Sequence, residues 1–111
     1  MHKKQTILID LDGVLNIYRG NFDEKYIPEI KDGAKEFLAE ISKKYEIKLF
    51  TTRNKLQTSK WIIKNNLEKY ITDITNVKEL AMLYIDDRCI NFDGNYKNLI
   101  KNIEKFKTWY E

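Results

Sequence analysis

The sequence predicts an α/β fold, a mainly parallel sheet with helices on both faces. Two observations predict it. Short apolar runs alternate with segments whose apolar residues recur at helical spacing, the mark of strand–helix–strand crossovers. Carboxylates and a threonine stand at the carboxyl ends of those runs, the edge where open parallel sheets bind ligands. The 111 residues are 42% hydrophobic and 33% charged, a globular balance and a length that suits one domain over residues 1–111.

The elements follow in order. Gln5 to Leu11 reads as a first strand, its apolar run Ile7-Leu8-Ile9 suited to burial on both faces. A polar, aromatic-dotted stretch over residues 16–27 follows, too short and irregular for a domain. Ala34, Phe37, Leu38 and Ile41 fall at i, i+3, i+4 and i+7, one face of a helix. Glu46 to Thr52 is a second strand. Asn54, with Gln57 three residues on, predicts a capped helix start, and Leu56, Ile63, Leu67 and Tyr70 are expected on one side of that helix. Ile71 to Ile74 is a weak third strand and Ala81 to Asp86 a fourth. Tyr96, Leu99, Ile100, Ile103, Phe106 and Tyr110 mark a long closing amphipathic helix. The only proline is Pro28, and there is no repeat or low-complexity segment.

Bulk chemistry narrows the function classes. The net charge is +3, with 17 of the 20 basic residues lysine and spread along the chain, which suits a solvated surface more than a nucleic-acid groove. Nucleic acid remains a compatible partner that nothing specifically indicates. The single cysteine, Cys89, precludes an internal disulfide and fits a reducing compartment. Asp10 interrupts the first apolar run far short of a signal-peptide core, and no apolar stretch approaches the ~20 residues of a membrane span. The expectation is a cytoplasmic protein with no membrane partner; an oligomer is compatible with the sequence.

At the expected strand ends stand Asp10 and Asp12, Thr51, and Asp86 and Asp87, with Lys78 just ahead of the fourth strand. Four ionised carboxylates brought together repel one another by several kcal/mol. A hard divalent cation removes that cost, and Mg²⁺ takes a few carboxylates while leaving positions for water and phosphate. Gly13 lets the backbone turn away beside such a ligand. A threonine hydroxyl near a helix start and a lysine suit an anionic group. Together these groups suit phosphoryl transfer, in which one carboxylate attacks phosphorus and the others hold the metal. Each taken alone has a plainer reading: Asp-Gly is common in strand-end turns, and threonine is common in strands and caps.

The motifs also carry a family resemblance. DLDGVL at residues 10–15 resembles the first motif of the haloacid dehalogenase (HAD) superfamily phosphatases, LFTTR at 49–53 the second, Lys78 the third and YIDDR at 84–88 the fourth. The four lie in family order, and the likeness spans residues 5 to about 93. It implies a three-layer Rossmann-like fold and a two-step, Mg²⁺-dependent phosphatase. Asp10 would attack phosphorus. Asp12 would protonate the leaving oxygen and then deprotonate water. Asp10, Asp12 (through its backbone carbonyl), Asp86 and Asp87 would serve the metal. Thr51, Thr52 and Lys78 would bind phosphate. Two departures are visible: Glu79 follows Lys78 where proline is frequent, and no sizeable insert is present, so no separate cap domain is expected, only a short flap over residues 16–27.

Tyr18, Arg19 and Phe22 from that flap, with Arg53 and Arg88, are the candidate substrate contacts. The substrate this likeness implies is a phosphomonoester, small or at the end of a macromolecule. One alternative is a catalytically weak or regulatory domain that binds phosphate and Mg²⁺. Another is a receiver-like phosphoacceptor, whose acid pair would come first in the chain rather than last. Cys89 is expected as a small packed residue and Trp61 and Trp109 as helix packing residues.

Overall fold

The structure, a computed structural model, describes residues 3–111; His2, which has no role on sequence grounds, lies outside them. The elements are β1 (Gln5–Asp10), α1 (Ala34–Ile41), β2 (Tyr45–Phe50), α2 (Lys55–Lys64), β3 (Asp73–Thr75), β4 (Leu83–Ile85) and α3 (Tyr96–Lys105). The four strands form one parallel sheet in the order β3-β2-β1-β4. The most apolar strand therefore lies inside the sheet. Among the described residues no helix is long and apolar enough to cross a membrane.

Alternation along the strands sorts side chains to two faces. Ile7, Ile9, Ile47 and Leu49 join Ala34 and Leu38 of α1 and Trp61 and Ile62 of α2 in one buried cluster. Both crossover helices thus cover the same face. On the other face Leu8 stands opposite Lys48 and Tyr84 in strand register. A loop lies over this face rather than a packed helix. Lys48 pairs with Glu79 at 2.9 Å, the Tyr84 hydroxyl donates to the Glu79 carbonyl at 2.7 Å, and the Lys78 ammonium sits over the Tyr84 ring. The reason is length. Residues 76–82 alone connect β3 to β4, fewer than the ten to twelve that a crossover helix requires.

The helix starts and stops have local causes. Asn54 caps α2, its side chain accepting from the Gln57 amide at 3.0 Å, as the sequence predicts. Asn66 takes a left-handed φ of 57° and ends the helix, the Asn66 amide bonding back to Ile63 and the Leu67 amide to Ile62.

The buried face of α2 differs from expectation. Thr58, Trp61 and Ile62 point inward, while Leu56 and Ile63 are exposed. Leu67 and Tyr70 do pack on the core, but from the turn beyond the helix. On α1, Ala34 and Leu38 are buried and Ile41 packs against the core, whereas Phe37 is exposed. The closing helix is shorter than expected: Phe106 already has extended backbone, and α3 buries none of its side chains. Its stripe of Tyr96, Ile100 and Ile103 faces outward.

Candidate functional site

Strand pairing builds the acidic edge. Ile9 of β1 lies opposite Ile85 of β4, so the next residues, Asp10 and Asp86, leave the sheet side by side. The Arg88 amide donates to Asp86 Oδ1 at 2.9 Å, closing a tight turn that also carries Asp87. Carboxylate oxygens of Asp10, Asp86 and Asp87 come within 4.8 Å of one another. The electrostatic result is large. Burial first, then the charges of Asp86, Asp87 and Asp12, push the Asp10 carboxyl up to about 8. Burial and the adjacent Asp86 charge raise Asp87 as well. Asp87 Oδ2 is buried without a hydrogen-bond partner.

Gly13 belongs to this arrangement. Its φ is 85°, and a Cβ there would land inside the Asp87 carboxylate. Both the backbone angle and the space demand glycine.

Asp12 sits on the turn after β1 but faces elsewhere. Its Oδ1 accepts from the Asn16 side-chain amide at 3.0 Å, and its Oδ2 accepts from Arg53 Nε at 2.8 Å. The Asp12 carboxylate therefore stands outside the acidic trio, while the three carboxylates expected at the metal, Asp10, Asp86 and Asp87, converge.

Asn16 is a site residue that sequence reasoning missed. It is fully buried, and its Oδ1 accepts from the amides of Gly13 and Tyr18, at 3.1 and 3.0 Å. It shapes the turn while orienting Asp12. The signal was a polar residue directly after the apolar pair Val14-Leu15. Trp109 was also missed as a site residue. It is half-exposed outside any helix, and its indole N–H donates to the Gly13 carbonyl at 2.6 Å.

The phosphate-binding candidates lie around this edge. Thr51 is buried; its amide is taken up by the Thr75 carbonyl at 3.0 Å, so only its hydroxyl is available to an anion. That hydroxyl accepts from the Arg53 amide at 3.1 Å, which leaves its proton to donate. Thr52 is exposed beside it. Lys78 shares with Asp10 and Asp86 a cavity of about 230 Å³ floored by Leu8, Phe50 and Tyr84. Its ammonium stacks on Tyr84 at 4.7 Å instead of pairing with Asp10.

The expected substrate contacts divide. Arg53 is buried and committed to Asp12 rather than turned outward. Tyr18 packs edge-on against Tyr110. Arg19 and Arg88 are exposed. The flap is a loop whose base is closed by an antiparallel bridge between Asn16 and Ile30. Cys89 is exposed rather than packed, and partial burial with the charges of Asp86 and Asp10 pushes its thiol up, away from a reactive thiolate.

No known family model matches the chain, and no curated protein matches it in sequence.

Proposed function

We propose that the protein is a Mg²⁺-dependent phosphatase that acts on a phosphomonoester through an aspartyl-phosphate on Asp10, within a HAD-like parallel α/β fold. The observation that carries this reading is the convergence of Asp10, Asp86 and Asp87 at the carboxyl ends of two adjacent parallel strands. Such a trio of oxygen donors, one with a buried and unpartnered atom, fits a hard cation. Asp10, Asp86 and Asp87 would hold it, with the Asp12 carbonyl. Bound there, it would neutralise charge on the trio and on phosphate.

The chain's own groups then divide the work. Asp10 forms a bond from its carboxylate oxygen to phosphorus while the ester P–O bond breaks. Asp12 gives its proton to the departing oxygen. Water next bonds to phosphorus, its proton passes to Asp12, and the Asp10–phosphorus bond breaks. The Thr51 hydroxyl donates to a phosphoryl oxygen, and Lys78 turns from Tyr84 to the phosphate.

The test is turnover of p-nitrophenyl phosphate with Mg²⁺. The expected result is activity that EDTA abolishes and that Asp10→Asn lowers by at least a thousandfold. Turnover surviving Asp10→Asn would refute the nucleophile, and trapped phosphoenzyme with no release would favour a receiver-like role.

A further inference from the structure

Arg53 holds two parts of the molecule at once. Its side chain is 1% exposed and pairs with Asp12 through Nε at 2.8 Å. Its Nη1 donates to the Asp23 carbonyl at 2.8 Å, and its guanidinium lies 4.5 Å from the Phe22 ring. Its Nη2 is buried with no partner. An unmade buried hydrogen bond is costly, so the other three contacts fix the group there despite that cost. One rigid plane therefore joins the 16–30 loop to the Asp12 carboxylate. With Asn16 on the opposite oxygen, Asp12 has both oxygens fixed.

We propose that Arg53 is a positioning residue: it ties the Phe22–Asp23 loop to Asp12 and holds that carboxylate to take the proton of the water that cleaves the aspartyl-phosphate. p-Nitrophenolate departs without needing a proton, so on that substrate a misplaced Asp12 slows the water step more than the attack by Asp10. In that step the water oxygen bonds to phosphorus, its proton goes to Asp12, and the Asp10 oxygen leaves phosphorus with its electron pair. The loop enters the chemistry through Phe22 and Asp23, without touching the reacting atoms. Lysine cannot replace Arg53, because it has charge but no planar fork to bridge two acceptors.

This inference rests on the phosphatase reading, and the kinetic order of the two steps separates it from a structural role. Slowing only the second step lowers kcat and KM together and leaves kcat/KM unchanged. Arg53→Lys is expected to lower both at least tenfold on p-nitrophenyl phosphate, with a burst of p-nitrophenolate and accumulated phosphoenzyme. Phe22→Ala, at an exposed position, is expected to shift them the same way by a smaller factor. A fall in kcat/KM without a burst, or unchanged kinetics in Arg53→Lys, overturns the proposal. Amide hydrogen exchange over residues 22–26 reads the loop without turnover and is expected to quicken at least tenfold in Arg53→Lys. Unchanged exchange overturns the link to the loop. A wild-type protein that hydrolyses no phosphomonoester refutes both the phosphatase reading and the role in the water step, while exchange alone still decides whether Arg53 holds the loop.

Discussion

The Asp87 carboxylate occupies the space into which any side chain on Gly13 would project. The turn after β1 and the turn after β4 therefore close on each other with no atom to spare, and the acidic trio depends on a residue that carries no chemistry.

Gly13→Ala is expected to destabilise the fold by about 1–2 kcal/mol from the left-handed backbone alone. Displacement of Asp87 should in addition weaken Mg²⁺ binding at least tenfold. Urea unfolding and calorimetric Mg²⁺ titration measure the two effects separately. Wild-type values of both would show that the turns are looser than this contact implies.

Stability should depend on pH in a direction set by Asp10. In the fold its carboxyl titrates at about 8, whereas an unfolded aspartate titrates near ~3.9. Between those values the folded chain keeps a proton that the unfolded chain releases. Stability from this group is full below the unfolded value and is lost as pH rises through the folded one. Asp87, also raised, acts in the same sense. In EDTA, the melting temperature of the wild type should fall from pH 4.5 to pH 8.5 more than that of Asp10→Asn. At pH 7.5, Mg²⁺ should restore stability, by about 2.7 kcal/mol at a hundred times its Kd. A melt indifferent to Mg²⁺ would count against the cation site.

The two faces of α2 should respond differently to truncation. Trp61 is buried, and its indole N–H donates to the Pro28 carbonyl at 3.1 Å. Trp61→Ala is expected to cost about 3–5 kcal/mol. Leu56→Ala, at a side chain 65% exposed, should stay within ~0.5 kcal/mol. Chemical denaturation of both variants checks which face meets the core. Similar losses would restore the stripe read from the sequence.

β1 was legible from its unbroken run Ile7-Leu8-Ile9 and β2 from the alternation that turns Ile47 and Leu49 inward; both fall within a residue or two of expectation. So was the acidic edge, since Asp10 and Asp86 each follow apolar residues at a strand end. The α2 face was misread because Thr58 interrupts the inward stripe while Leu56 and Ile63 imitate it on the outside. The helix expected on the second face was not legible either way, since periodicity reports an apolar stripe on α3 and not what it packs against. Asp12 was placed on the turn but not oriented. Its partners lie 4 and 41 residues away, and no local pattern shows which of three arginines will turn inward.

Trp109 reaches Gly13 across 96 positions of the chain. While the polypeptide is being made, β1 and its acidic turn emerge early, but the indole that props this turn comes much later. The sheet and its two packed helices can assemble before then, whereas the Gly13 turn must wait for Trp109. A nascent chain would carry Asp10 and Asp12 long before Trp109 could brace the turn that follows them.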